Sequence, residues 1–342
     1  MLSSRSEVIL KLIVNRYINT AVPVPSQSLA SECGLRVSSA TIRNEMARLE
    51  QEGYIIRPYS SAASVPSEKG YRYYVESLAD IELPIIEQRM IDHLFHQVEK
   101  QQNEWLSLAA AVAAQLVRNM AVVSMPKSAD CQLKHIEIIS LQDLLALLVL
   151  VLHGARVKEQ LITFDQAVSQ PQLTTIANKL NASYAGLNKS QILTEEVNLS
   201  DAEKHVRDCL TGIMEAEDKR EYEEPHLEGW HFILHQPEFA HSRQMLDLME
   251  LVEHKELLKN ILPEALPNRE VRVVIGKENR TEVIHNCSVV ISRYGFSEDA
   301  LGMIGIIGPT RMPYGRAIST VKHLASVLTE LIAELYGKQR SN

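Results

Sequence analysis

The chain lacks most of the features that mark secreted, membrane and metal-binding proteins. Its four cysteines lie far apart and form no CxxC pair, which argues against a disulfide framework or a zinc knuckle. We interpret them as small core residues, namely Cys33, Cys131, Cys209 and Cys287. The longest uncharged apolar run, Leu144 to Leu152, is too short to span a bilayer, and the N-terminus lacks the apolar segment of a secretion signal. These absences predict a cytoplasmic protein with no membrane partner.

Acidic residues dominate the chain as a whole but not its beginning. The 342 residues carry a net charge of -8, whereas residues 1 to 75 contain nine Lys and Arg against six Asp and Glu, a balance of +3. A basic head on an acidic body fits a small DNA-binding domain attached to a body that does not contact DNA. The length itself indicates two or three domains.

The first eighty residues read as three helices followed by a hairpin. Apolar residues at helical spacing, serines at N-cap positions and the turn formers Pro23 and Gly34 delimit the helices. We predict helices over Ser4 to Asn19, Ser26 to Glu32 and Ser38 to Gly53, then a hairpin over Tyr54 to Pro66. This order predicts a winged helix-turn-helix domain at residues 1–80.

The remainder mixes helical and strand patterns, so the fold class is α+β and multidomain. Residues 85–120 read as a long amphipathic helical region, and residues 133–165 as a strand pair joined at Gln142-Asp143 with a turn at His153-Gly154. Further strands are predicted at Trp230 to Leu234, Val271 to Ile275, Cys287 to Tyr294 and Met303 to Ile307, a helical region at Gln236 to Leu262, and a closing helix at Gly315 to Tyr336. We assign the body with its linker helix to 81–167 and 226–342, interrupted by a largely helical insertion at 168–225.

The third helix carries two stripes of side chains, in the stretch VSSATIRNEMARLEQEGYI at 37 to 55. Ile42, Met46 and Leu49 fall on the apolar stripe, which predicts a core-facing side. Arg43, Asn44 and Arg48 fall on the other, where Arg can pair with a guanine edge and Asn with adenine. An ordinary solvated helix face would look the same, but the preceding helix and turn favour a recognition helix.

Small hydroxyl and basic side chains flank this stripe and fit phosphate contacts. Hydroxyls at the helix N-terminus can donate to phosphate oxygens, helped by the free amides and the positive end of the helix dipole. The predicted backbone contacts are Ser38, Ser39, Thr41, Arg57, Ser60, Ser61 and Lys69, with Arg48 between base and phosphate.

Four stretches closely resemble the family of heat-inducible transcription repressors called HrcA. They are the 37 to 55 stretch quoted above, KGYRYYV at 69 to 75, IGKEN at 275 to 279 and IGIIGPTRMPYGRAI at 304 to 318. The similarity extends from about Leu2 to Leu335, with the motifs in the family's order.

The resemblance implies a homodimeric repressor of class I heat-shock chaperone operons. It implies binding to an inverted-repeat operator, CIRCE, with release on heat stress, and the chaperonin GroEL as a partner that keeps the repressor active. It also implies a GAF-like α/β body with an inserted dimerising domain, and neither catalysis nor a cofactor. For the dimer contact we favour residues 168–224 with part of 85–120.

The wing departs from the family pattern. Relatives usually have His-Thr-Ser-Ala-Gly-Arg where this chain has Tyr59-Ser60-Ser61-Ala62-Ala63-Ser64. Loss of the glycine at Ala63 disfavours a turn with positive φ, and loss of the arginine at Ser64 removes a cation suited to a narrow minor groove. We therefore expect weaker wing binding and expect Ser64→Arg to tighten DNA binding.

Three other interpretations of the body remain open. Histidines concentrate between His226 and His254, and the pair His231 and His235 could belong to a metal site, although further ligands are not fixed. The glycines around Arg311 could form a phosphate loop or an effector pocket, but the Walker lysine is missing and a structural turn explains them better. A GAF-type regulator that senses a metabolite is the alternative function.

Overall fold

The computed structural model describes the chain except residues 1, 33–37, 60–61, 80, 99–100, 127–130, 154–155, 220–224, 240–245, 247–248, 251–269, 297–299 and 336–342. The chain divides into two compact units. The first comprises Met1–Met125, Glu224–Tyr294 and Gly302–Leu328, and the second Pro126–Glu223, Gly295–Leu301 and Thr329–Asn342. No helix in the described ranges is long and apolar enough to cross a membrane.

The first unit begins with three helices and a hairpin, in the predicted order. Ser3 caps the first helix by accepting a hydrogen bond from the Ser6 amide, and Ser38 caps the third in the same way from Thr41. The elements are α1 (Ser4–Thr20), α2 (Ser26–Glu32), α3 (Ser39–Gln51), β1 (Ile55–Ile56), β2 (Val65–Pro66) and α4 (Glu68–Glu76). The two strands pair antiparallel.

A five-stranded sheet with helices forms the rest of the first unit. Its strand order is β7-β3-β10-β9-β8. The elements are α5 (Ile85–Gln97), α6 (Gln102–Val117), β3 (Met120–Val123), β7 (His226–Glu228), α10 (Trp230–Leu234), β8 (Arg272–Ile275), β9 (Cys287–Phe296), β10 (Ala300–Pro309) and α11 (Tyr314–Leu335). The end of β9, the start of β10 and the last residues of α11 count with the second unit. Strand residues such as Val122, Val289 and Ile307 are buried and form its core with Ile233.

One local prediction for this unit was wrong and another was incomplete. Residues 85–120 are largely helical as predicted, in the two helices α5 and α6, but α6 ends at Val117, Arg118 follows in the left-handed conformation, and strand β3 begins at Met120. All four residues of β3 are buried, so the strand shows none of the alternation that identifies a half-buried strand. The segment Trp230–Leu234 is the helix α10 rather than a strand. An apolar run of five residues is compatible with a helix or a strand, and here Gly229, with φ of 85°, turns the chain into the helix.

The second unit contains a three-stranded antiparallel sheet and three helices. The strands are β4 (Leu133–Gln142), β5 (Leu145–Leu152) and β6 (Arg156–Thr163), in the order β4-β5-β6, as their apolar pattern and turns predicted. The helices are α7 (Gln170–Tyr184), α8 (Lys189–Thr194) and α9 (Asp201–Lys219). The predicted boundary at 168 falls inside this unit, which starts at Pro126.

The two faces of this sheet differ. Ile136, Ile138 and Leu148 point to the face that packs with helix residues such as Leu180 in one core cluster. The opposite face is apolar along its centre, where alternate β5 residues are only half-buried.

Several predicted features fall on residues that are not described. Cys33 and Gly34 lie there, and so does most of the helical region predicted at Gln236 to Leu262. The other three cysteines are reduced thiols; Cys131 and Cys287 are buried as expected, whereas Cys209 is half-buried. Burial raises the pKa of the Cys287 thiol to about 12.

Candidate nucleic-acid interface

Helix α3 separates its apolar and polar stripes as the sequence predicts. Ile42 and Leu49 are completely buried, and Met46 nearly so, which anchors the helix in the core of the head. Arg43, Asn44 and Arg48 are exposed on the outer side. The helix therefore presents a polar face to solvent from a fixed backbone.

The N-terminus of α3 is ordered by its own hydroxyl groups. The Ser38 side chain accepts a hydrogen bond from the Thr41 amide at 3.2 Å, and the two hydroxyl oxygens lie 3.0 Å apart. Ser38 and Ser39 are exposed. An anion approaching this end meets unpaired amides and the positive end of the helix dipole.

The polar residues on this surface fall into two groups. Within the described part of the chain, Arg43 and Asn44 have no ion pair and no side-chain hydrogen bond. Arg48 instead donates from Nε to Glu52 at 2.8 Å, and Arg57 pairs with Glu50 at 3.0 Å. Free donors are available to a ligand, whereas paired ones must first leave a carboxylate.

Lys69 belongs to the paired group. Its Nζ donates to the backbone carbonyl of Glu52 at 2.8 Å and lies 4.4 Å from the centre of the Tyr54 ring. The side chain thus ties the start of α4 to the end of α3. It remains an exposed positive charge beside the hairpin.

The hairpin buries position 64, where the family has an arginine suited to a minor groove. Ser64 is only 2% exposed, and its backbone pairs with Val24 through N–H···O bonds of 2.8 and 3.3 Å. The premise that residue 64 projects from the wing is therefore wrong, and an arginine there would have to bury its stem or displace this pairing. Ala63 is not among the described residues with positive φ. Ser60 and Ser61 lie outside the described residues.

Three residues that the sequence did not single out hold α3 against α1. Glu45 accepts a hydrogen bond from the Ser6 hydroxyl at 2.7 Å, and its other oxygen lies 3.9 Å from Arg5. The acidic partners Glu50 and Glu52 were also missed. Their signal was present in the sequence, since Arg48 and Glu52 stand four apart on a helix, but spacing alone does not show which neighbour is chosen.

The described residues assemble neither of the two candidate sites considered for the body. No group of three possible ligands comes together among the described residues, and His241 and His254 lie outside them. Arg311 is 12% exposed and contacts Glu238 and Gln236, so its guanidinium is already occupied. The glycine-rich segment forms the end of β10 and the turn to α11.

Comparisons with known proteins agree on one family. The model of the HrcA protein C-terminal domain matches residues 103–318. A heat-inducible transcription repressor HrcA from Dehalococcoides mccartyi is 52% identical over 338 residues, covering 99% of this chain and 98% of the relative. The protein of the same description from Herpetosiphon aurantiacus is 39% identical, covering 99% and 98%.

One solved structure has a similar overall fold. It is a crystal structure described as a hypothetical protein, with a TM-score of 0.63 and 20% sequence identity. It covers 98% of this chain and is itself covered completely. At this identity the likeness shows the fold alone.

Proposed function

The chain belongs to the HrcA family of heat-inducible transcription repressors, and we propose that it represses class I chaperone operons by binding an inverted-repeat operator as a homodimer. It is a negative regulator of heat-shock transcription, and such a repressor binds DNA. We propose neither a catalytic activity nor a cofactor for this chain.

One observation carries the DNA-binding part of the proposal: α3 presents unpaired Arg43 and Asn44 on the exposed face of a helix anchored by its other face. We propose that α1 to α3 with the β1-β2 hairpin form a winged helix-turn-helix and that α3 enters the major groove. Arg43 then pairs with a guanine edge and Asn44 with adenine. Neither side chain has to break an internal bond to do so.

The remaining polar residues hold the DNA backbone. Ser38, Ser39 and Thr41 lie at the N-terminus of α3, where hydroxyl and amide donors suit phosphate oxygens. Arg48, Arg57 and Lys69 add positive charge at the C-terminal side, at the cost of leaving their internal partners. With Ser60 and Ser61 on the wing, these residues position the duplex and do not read its sequence.

We assign dimerisation to the outer face of the β4-β5-β6 sheet. One row across it joins Ile139, Leu147 and Leu161, of which Ile139 is 43% and Leu161 59% exposed. Val157, 53% exposed, extends the apolar surface on the edge strand. A two-fold operator requires a two-fold protein, and a self-complementary apolar face satisfies that need. The sheet belongs to the same compact unit as residues 168–223, so its outer face adds to the surface expected at 168–224 with part of 85–120.

The regulatory part follows from the family. The relatives are described as heat-inducible repressors, so we propose that heat removes this chain from its operator and that GroEL restores binding. A repressor acts where the chromosome lies, which places the chain in the cytoplasm. No observation on the described residues favours the alternative of a metabolite-sensing regulator.

Hydroxyl-radical footprinting with the full chain tests the proposal. On a DNA fragment carrying the inverted repeat upstream of a chaperone operon, we expect two protected regions related by the two-fold axis of the repeat. Their centres should lie one helical turn of about 10.5 base pairs, or a multiple of it, apart. Protection of a single half-site would contradict the dimer, and uniform weak protection would contradict specific recognition.

A further inference from the structure

Two motifs of the body that play no part in the DNA surface lie against the DNA-binding head. They are IGKEN at 275 to 279 and the Thr310-Arg311 turn before α11. Both belong to the same compact unit as α1 to α4. Their contacts with α4 and α1 are polar and directional, which distinguishes them from simple packing.

Arg72 of α4 forms the first of these contacts. Its Nε donates to Glu278 Oε1 at 2.9 Å, and its Nη2 donates to Glu278 Oε2. The same Nη2 also donates to the carbonyl of Val273, at 2.8 Å. Glu278 is held in turn by the Ile275 amide at 2.9 Å. A planar guanidinium with several donors in fixed directions sets an angle between two elements as well as a distance.

Glu68, one turn earlier on α4, forms the second contact. Its carboxylate accepts a hydrogen bond from the Lys277 amide at 3.2 Å. Gly276 beside it has φ of 55°, and a Cβ at this position would overlap the Glu68 carboxylate. The glycine therefore permits both the backbone conformation and the close approach of α4.

Arg311 forms the third contact, at the other side of the head. Its Nη1 donates to the carbonyl of Ile18 at 3.3 Å, near the C-terminal end of α1. A cation suits this end of a helix, where carbonyls lack partners and the dipole is negative. Glu238 and Gln236 hold the same guanidinium from the body. Between these polar contacts the buried rings of Tyr71 and Tyr314 pack with centroids 5.9 Å apart.

The head transmits this position to α3 through rigid internal bonds. Ser67, the N-cap of α4, donates to the Gly53 carbonyl at 2.6 Å, and its amide bonds to Tyr54 at 3.0 Å. Lys69 bonds to the Glu52 carbonyl. Gly70 allows the Tyr54 carbonyl to lie where a Cβ would stand. The orientation of α4 on the body thus fixes the orientation of α3.

We propose that these contacts orient the recognition helix on the body, with Arg72 and Arg311 as positioning residues for operator binding. The two motifs set the angle at which each head of the dimer meets its half-site. A change in the body that releases them frees the heads without altering any DNA-contacting residue. This inference rests on the proposed function, because half-site geometry has meaning only for a dimeric DNA-binding protein.

The test compares full-length wild type with Arg72→Gln on three duplexes. One carries the natural inverted repeat, one has about 5 base pairs inserted between the half-sites, which rotates them by half a helical turn, and one carries a single half-site. Wild type should lose roughly 100-fold or more in affinity on the lengthened repeat, since both heads cannot engage. Arg72→Gln should bind the single half-site like wild type but lose most of this discrimination.

Arg89→Gln is the matched control, because Arg89 is exposed on α5 and takes no part in the contacts of Arg72, Glu68 and Arg311. It should keep the wild-type preference for spacing. If Arg72→Gln also keeps it, the positioning role is overturned. Loss of affinity for the single half-site would instead show damage to the head, which also contradicts the proposal.

A second measurement does not depend on DNA. We expect the losses in melting temperature of Arg72→Gln and Glu278→Gln not to add in the double variant, because each removes the same contact. If wild type shows no spacing preference, the proposed dimeric function fails. The double-mutant cycle of Arg72 and Glu278 then tests the contact between α4 and the IGKEN motif by itself. Additive losses would then overturn the contact between α4 and the IGKEN motif.

Discussion

At the scale of single residues, the proposed DNA recognition depends on which polar side chains are free of internal partners. Arg43 and Arg48 have the same chemistry and lie on the same face of α3, yet only Arg48 is bound to a carboxylate. That hydrogen bond to Glu52 also raises the pKa of Arg48. We therefore place base readout on Arg43 and Asn44, and treat Arg48 as an auxiliary cation.

Replacing Arg43 with alanine tests the readout directly. We expect a loss of roughly 1 to 3 kcal/mol on the operator and a smaller loss on scrambled DNA, because one bidentate base contact disappears. The comparison is made by fluorescence anisotropy, with the exposed Arg89→Ala as control. Equal losses on both duplexes would show that Arg43 contacts phosphate only.

Glu50 should limit non-specific binding because it holds Arg57 at 3.0 Å. The variant Glu50→Gln releases that cation, so affinity for scrambled DNA should rise more than affinity for the operator. One additional phosphate contact steepens the slope of log K against log salt by roughly 0.9. Glu76→Gln, an exposed acid on α4, removes the same charge away from α3 and should leave the slope unchanged. An equal rise in the affinity of Glu76→Gln for scrambled DNA would show that the net charge, and not the release of Arg57, sets non-specific binding.

At the scale of elements, the sequence predicted the helices whose ends it marks. Serines cap α1 and α3 as the pattern of N-cap serines predicted, and α1, α2 and α3 lie within a few residues of the predictions. One element without such marks, strand β3, was missed. Strand β3 is apolar on both sides and only four residues long, and its identity comes from its neighbours β7 and β10 in the sheet.

The second unit contains an element contact with a defined pH dependence. Burial alone would raise the pKa of Glu203, but hydrogen bonds from Lys179 and Ser200 outweigh it and lower the pKa below its ordinary value of 4.5. Lys179 lies 2.8 Å away, so the pair joins α7 to the start of α9. A lowered carboxyl pKa stabilises the folded chain above the unfolded value, and this contribution disappears as pH falls through the folded value.

Glu203→Gln should therefore unfold at a lower temperature than wild type at pH 7. Its deficit should shrink as the pH is lowered below 4.5, where the wild-type carboxylate also becomes protonated. Circular dichroism monitored during heating gives the melting temperatures at pH 7 and at acid pH, with the exposed Glu196→Gln as control. A deficit that stays constant between pH 7 and acid would show that the charge of Glu203 is not responsible.

At the scale of the whole molecule, the sequence showed membership of a family more clearly than it showed long-range contacts. Motifs separated by more than 200 residues were visible, but nothing in them indicated that Arg72 meets Glu278. Likewise, the apolar residues of β4 to β6 predicted strands without showing that the described residues leave one face partly exposed. Such facts depend on how distant segments pack.

The uncovered sheet face gives a prediction about assembly. Leu161→Glu places a charge on the edge strand within the apolar row and should convert the dimer to a monomer, because a charge buried in an apolar contact lacks a partner. Leu193→Glu, on α8 at similar exposure, should remain dimeric. Light scattering after size-exclusion chromatography distinguishes the two. A dimeric Leu161→Glu protein would move the pairing surface elsewhere.

The most direct test of the central claim is a salt titration of wild-type binding to a chaperone-operon inverted repeat and to a scrambled duplex, with and without GroEL. We predict that the operator binds more tightly at every salt concentration, by a factor in the range of roughly 10³ to 10⁷, and that GroEL strengthens this binding. Equal, weak binding to both duplexes under all conditions would contradict a sequence-specific repressor of these operons.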